Sequence, residues 1–165
     1  MSESEFAYFR GTADVMAADL AAGPSTGIDL VICGDAHVSN FGLYATPERT
    51  LVFDLNDFDE AAWAPWEWDL KRLVTSVVIA ARARNSSPRF VRKAALHTVA
   101  AYQRTLYAGI ALSPTERFFT HFDAEAGVAR MDKESRKALS RAIASAHKRT
   151  GERAVSRLTT RDDDG

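Results

Sequence analysis

The hydrophobic period of this chain changes at Pro65, and the change restricts the class of fold open to it. Before it, short apolar runs of strand length, Ile28-Asp29-Leu30-Val31-Ile32-Cys33 and Leu51-Val52-Phe53, are separated by turn-forming residues. After it, Leu70, Leu73, Val74, Val77, Val78 and Ala81 recur at helical spacing and predict a core helix over about residues 66 to 84. Ser87-Pro88 supplies a cap and an N1 proline for a second helix that buries Val91, Ala95, Thr98, Val99, Tyr102 and Leu106. Ser113-Pro114-Thr115-Glu116 is a capping box opening a short helix with Phe118, Phe119 and Phe122. Residues 132 to 149 form a thinly apolar helix held by Leu139 and Ile143. At the other end, Phe6, Phe9, Ala13, Met16 and Leu20 mark one amphipathic helix over 3 to 22, ended by Gly23-Pro24-Ser25-Thr26-Gly27. With strands at 28 to 33, near 41 to 45 and at 50 to 55, the last two joined through Thr46-Pro47-Glu48-Arg49, the expectation is a predominantly helical α+β fold with a small β-hairpin.

A chain of 165 residues with an apolar fraction of 46% has enough material for one domain with a core, which excludes disorder throughout. One cysteine, Cys33, excludes an internal disulfide. The start Met1-Ser2-Glu3-Ser4-Glu5 is acidic where a signal peptide would be basic, and no apolar run approaches the roughly 18 to 20 residues that span a bilayer. A soluble cytoplasmic protein with no membrane partner is expected.

The net charge of −1 hides an uneven distribution. Residues 1 to 69 hold only two bases, Arg10 and Arg49, against 13 acids, whereas residues 70 to 115 hold 8 bases and no acid. Opposed or separately solvated faces account for this. The basic residues between 71 and 104 are spread around helices without aromatic stacking platforms, which disfavours nucleic acid as a partner.

The chemistry is concentrated in Cys33-Gly34-Asp35-Ala36-His37-Val38-Ser39-Asn40-Phe41-Gly42 and in Leu51-Val52-Phe53-Asp54-Leu55-Asn56-Asp57-Phe58-Asp59-Glu60. An Asp and an Asn five residues apart after an apolar strand, followed by a second strand ending in carboxylates, can hold a divalent cation and leave one carboxylate to take a proton. Protein kinases use Asp-x-x-x-x-Asn in this way, the Asp orienting the acceptor hydroxyl, the Asn on magnesium, with a later metal-binding Asp. Asp35 and Asn40 have that spacing. Alone the pattern is weak, because Asp, Asn and Gly are ordinary turn residues. The acidic group Asp54, Asp57, Asp59 and Glu60 strengthens it, since these carboxylates repel one another without a cation or bases nearby.

Phe9-Arg10-Gly11, Cys33-Gly34-Asp35-Ala36-His37 with Asn40-Phe41-Gly42, the run Phe53 to Glu60, and Trp66-Glu67-Trp68-Asp69-Leu70-Lys71-Arg72-Leu73 together resemble the bacterial domain of unknown function 2252, placed with the kinase-like and aminoglycoside-phosphotransferase-like superfamily. The likeness is close over residues 6 to about 85 and looser beyond. It implies a kinase-like C-lobe segment with a catalytic hairpin over 28 to 60 and helical support over 66 to 149, in one partial domain of residues 1 to 158, followed by a frayed polar tail at 159 to 165. Asp35 then looks like the catalytic-loop Asp, His37 like the His two positions after it, and Asn40 like the magnesium-binding Asn. The metal-binding Asp is Asp54, by the apolar strand leading into it, or Asp57, by the spacing to the next helix, which favours Asp57. Asp69 resembles the carboxylate that braces the catalytic loop, Trp66 gives structural support, and Arg10 counters the acidic site, contacts phosphate or forms an ordinary ion pair. Mg2+ and ATP are the implied cofactors, with a hydroxyl-bearing acceptor.

The chain also departs from the kinase pattern. Cys33 stands where such kinases carry a His, and the nine glycines never form G-x-G. No Lys-bearing strand precedes the loop. The expected molecule is therefore a truncated phosphotransferase segment, inactive without a nucleotide-binding lobe or a complementing chain. A non-catalytic binding module of kinase-like fold is the alternative. A metallophosphoesterase, raised by Asp35-Ala36-His37, is a minor one, because His97, His121 and His147 lie in helical segments instead of metal-binding loops. Trp63, Trp66 and Trp68 read as a packing plug between hairpin and helix.

Overall fold

The computed structural model describes residues 4–48, 50–128, 131 and 133–147. The tail at 159 to 165, Arg49 and the side chain of His147 lie outside them. The described chain is α+β, with small antiparallel sheets among helices. It gathers into two compact units, residues 1–42 with 55–120, and residues 43–54 with 121–165.

The first unit begins with two short helices where the sequence predicts one. Helix α1 (Glu5–Arg10) is capped by Ser4, whose hydroxyl accepts from the Ala7 amide, and ends at Gly11; α2 (Ala13–Ala21) follows Thr12. The break has one local cause and one distant one. The Thr12 hydroxyl donates to the Tyr8 and Phe9 carbonyls, and Arg72 takes the Phe9 and Arg10 carbonyls, so α1's last acceptors are used before a further turn can claim them.

Strand β1 (Asp29–Ile32) pairs antiparallel with β4 (Ala62–Pro65), from Asp29 opposite Pro65 to Ile32 opposite Ala62. Sequence periodicity misses β4, because Ala61-Ala62-Trp63-Ala64-Pro65 is short and ends in proline. Strands β2 (Phe41–Ala45) and β3 (Leu51–Leu55) form the expected hairpin as a separate two-stranded sheet. The segment 28 to 33 therefore pairs beyond the acidic run, with β4.

Helix α3 (Glu67–Ala83) and α4 (Pro88–Ile110) pack against each other, with Ser87 capping α4 through the Phe90 amide and Pro88 at its first turn. The capping box of α5 (Pro114–Phe119) forms with both reciprocal bonds, Glu116 to Ser113 and back. Leu106 is exposed, against the expectation that α4 buries it, and Phe118 and Phe119 on α5 are exposed as well. The tryptophans do not make one plug either. Trp63 is 71% exposed on β4, while Trp66 stacks on Tyr102 of α4 with ring centroids 5.7 Å apart and planes at 4°.

In the second unit, α6 (Ala124–Val128) and α7 (Lys133–His147) pack together, Val52 bridges to Asp123, and the Phe53 amide donates to the Phe122 carbonyl with their rings edge to face. No helix among the described residues is long and apolar enough to cross a membrane.

Candidate functional site

The residues of α3 that are most deeply buried are polar: Glu67, Arg72 and Ser76. Leu70, Leu73, Val74, Val77, Val78 and Ala81, the predicted core stripe, are half-buried. The polar residues meet the segment from residue 26 to residue 38, on either side of β1, in the same order along both segments. Glu67 accepts from the Thr26 amide at 2.8 Å and the Thr26 hydroxyl at 2.9 Å, and these bonds hold its carboxyl below the usual carboxylate range. The Trp66 indole adds a 3.1 Å bond to the same hydroxyl. Asp69 accepts from the Cys33 amide at 2.8 Å and the Gly34 amide at 3.0 Å. Arg72 donates through Nε to Asp35 Oδ1 at 2.5 Å. The Ser76 hydroxyl accepts from the Val38 amide at 3.0 Å and donates to the Leu73 carbonyl. The amides of Thr26, Cys33, Gly34 and Val38 are thus satisfied by one helix face, while the His37 amide bonds within the loop to the Asp35 carbonyl.

Asp35 lies at the centre of this arrangement, buried, with both carboxylate oxygens engaged. Oδ1 faces Arg72, whose guanidinium is itself fixed by the Phe9 and Arg10 carbonyls at 2.8 and 3.3 Å and lies over the Phe9 ring, 4.2 Å from its centroid. Oδ2 is 3.4 Å from His37 Nε2 and 3.4 Å from Asn40 Nδ2, and the latter also donates to the Asp35 carbonyl at 2.8 Å. That bonding orients the Asn40 amide so that Oδ1, which has no partner among the described residues, is left as an acceptor.

His37 is 2% exposed, with the Phe6 ring edge-on at 6.2 Å. Its Nδ1 accepts from the Ser39 amide at 3.2 Å, so the proton of the neutral ring sits on Nε2, toward Asp35. Burial pushes its pKa below the ordinary 6.5; the Asp35 charge opposes this, while Arg10 and Arg72 reinforce it. The folded state thus favours neutral His37 whereas the unfolded chain protonates near 6.5, so this contribution to stability is complete above about pH 6.5 and declines as pH falls below it. The paired carboxyls Glu48, Glu67 and Glu116 lose their contribution only below their ordinary 4.5. Denaturation midpoints measured between pH 7.5 and 5 are expected to fall with pH in the native chain and to flatten in His37→Gln; equal slopes would remove the assignment.

The neighbouring Cys33 thiol is pushed up to about 11, by burial first and then by the Asp69 charge, so it stays protonated near neutrality and is no nucleophile.

The acidic segment meets the Asp35 loop at both ends. The Asn56 amide donates to the Asn40 carbonyl at 2.8 Å, and Gly34, at φ +84°, presses against the Glu60 backbone so closely that a Cβ there would overlap the Glu60 carbonyl oxygen. Asp57, between those contacts, is exposed, and its carboxylate accepts from the Asp59 amide at 3.3 Å. Asp54 belongs to the second unit, on β3. Arg10 is exposed, and the buried counter-charge of Asp35 is Arg72, which no motif reading singled out. Its signal was present nonetheless: Asp69, Arg72 and Ser76 recur at helical spacing as a polar stripe.

Among the described residues no three His, Cys, Asp or Glu side chains are grouped to hold a metal. The donor set in question is smaller and of another kind. One amide oxygen and one or two carboxylates, completed by water and phosphate, is the all-oxygen set that magnesium takes, and Asn40 Oδ1 and the Asp57 carboxylate are donors of that type.

The family model described as "Uncharacterized protein conserved in bacteria" (DUF2252) matches residues 1–165. No curated protein and no solved structure matches the chain.

Proposed function

We propose that this chain, which belongs to the DUF2252 family of uncharacterized bacterial proteins, carries the catalytic segment of a magnesium- and ATP-dependent phosphotransferase with a kinase-like C-lobe. The observation that supports this most is the double contact between the Asp35 loop and the acidic segment, Asn40 to Asn56 and Gly34 to Glu60, on either side of Asp57 in the chain. Asn40 Oδ1 and the Asp57 carboxylate would hold magnesium, and the ion would neutralise charge on phosphate oxygens. Asp35, kept in one rotamer by Arg72, orients the acceptor hydroxyl and receives its proton at Oδ2. His37 fixes that oxygen from behind and does not reach the acceptor.

A second reading is favoured by the same carboxylate. Both oxygens of Asp35 already have partners, so a non-catalytic module that binds nucleotide and transfers nothing is chemically coherent. The two readings share magnesium binding and differ in turnover. Calorimetric titration of MgCl2 and of ATP with magnesium is expected to show magnesium-dependent binding that Asn40→Leu and Asp57→Asn each weaken about tenfold or more, one charged contact being worth about 1.5–3 kcal/mol. Assayed with a complementing nucleotide-binding lobe, transfer to an acceptor, abolished by Asp35→Asn with binding retained, marks the enzyme; binding without transfer in that complemented assay marks the module. Magnesium affinity untouched by both variants overturns the site.

A further inference from the structure

We propose that the cavity between the last turns of α3 and the first turns of α4 binds a small organic anion with an apolar body. The cavity measures about 330 Å³, at the small end of ligand sites, and lies wholly within the first unit. Val78, Pro88 and Val91 give it apolar walls, and Arg82, Arg92 and Ser86 give it polar ones. Neither arginine enters an ion pair among the described residues, and the Ser86 hydroxyl has no protein partner there.

The surrounding charge has one sign. Arg82, Arg84, Arg89, Arg92 and Lys93 fall within twelve positions, and no acid occurs between Asp69 and Glu116. The cavity also meets the start of α4, a 23-residue helix whose N-terminal dipole end adds positive potential. The turn between the helices, with Asn85 at φ 54°, directs its own polar groups inward to α3, the Asn85 and Ser86 amides bonding the Arg82 and Ala81 carbonyls. Two unpaired arginines and a free hydroxyl beside an apolar wall suit a carboxylate or phosphate joined to a hydrocarbon portion. A neutral ligand would leave the charges unanswered, and a bare inorganic ion would leave the apolar wall wet.

The probes are octanoate and octyl phosphate, with 1-octanol and octylamine as neutral and cationic controls of the same chain length, titrated into isotopically labelled protein and followed by amide chemical shifts. Saturable shifts at Ser86, Val91 and Ala95 with an anionic probe are expected. Affinity should fall about tenfold in Arg82→Gln/Arg92→Gln, whose exposed side chains can be changed without disturbing the core. The proposal is overturned by equal binding of octanol, by preference for octylamine, by shifts confined to other surfaces, or by no saturable binding of either anion. It is also overturned if a DNA duplex, with steep salt dependence, perturbs these amides while both small anions leave them unchanged, since the basic tip would then be a nucleic-acid surface.

Discussion

Arg72→Met is expected to lower the free energy of unfolding by about 3–5 kcal/mol, the range for removing one partner of a buried ion pair. The arginine is 2% exposed and serves several clients at once: Asp35 Oδ1, the carbonyls that close α1, the Met16 sulfur and the face of the Phe9 ring. Methionine restores part of the volume and none of the donors, so a carboxylate stays buried without its counter-charge. Asp35→Asn alone strands the cation instead. The double variant Arg72→Met/Asp35→Asn removes both charges and should cost clearly less than the sum of the two single changes, with a coupling within the 0.5–3 kcal/mol seen for directly interacting pairs. Urea unfolding followed by tryptophan fluorescence measures all three. A loss under about 1 kcal/mol for Arg72→Met, or additive costs, would show that the pair is not the closed network described.

Gly34→Ala is expected to destabilise by about 2–5 kcal/mol, from the left-handed backbone penalty together with overpacking. Two independent demands meet at this position. Its φ of +84° is open to glycine and strained for L residues, and an added methyl would occupy the space of the Glu60 carbonyl oxygen. Backbone cannot swing aside as a side chain does, so relief requires the Asp35 loop and the acidic segment to separate. Magnesium binding should therefore weaken along with stability. Gly27, also at positive φ but with open space around it, is the control: Gly27→Ala bears the backbone penalty alone and should cost less. Equal losses at the two positions would mean that the Gly34–Glu60 approach carries no energy.

Much of this arrangement could be read from residue pattern, for identifiable reasons. Helices α3, α4 and α5 announced themselves by apolar recurrence, by Ser87-Pro88 and by the capping box of Ser113 and Glu116 respectively, which are local signals for local hydrogen bonds. The Asp35 loop was legible because its residue types and spacing are chemical. What pattern could not convey was long-range pairing. Strand β4 is too short and too rich in alanine to alternate, and its existence depends on β1 being beside it. The buried face of α3 was missed for a sharper reason: Glu67, Arg72 and Ser76 read as a solvent face by polarity, and only the loop's unsatisfied amides make burial of those side chains favourable. The break at Gly11 was partly hidden, because the Thr12 side of the acceptor competition that ends α1 is local while the Arg72 side comes from sixty-odd positions away.

The matched order of contacts between α3 and the loop sets how the chain can assemble. The anchoring bonds from Glu67, Asp69, Arg72 and Ser76 span 41, 36, 37 and 38 residues respectively. Each alone must bring distant segments together, at an entropic cost that grows only logarithmically with the span. Because the partners run in the same order, closing any one leaves the others only a few residues from theirs, so nearly the whole search is completed by the first encounter. The loop should therefore order in a single kinetic event once α3 exists, and during synthesis it must wait, its amides in water, until residues beyond 76 have left the ribosome.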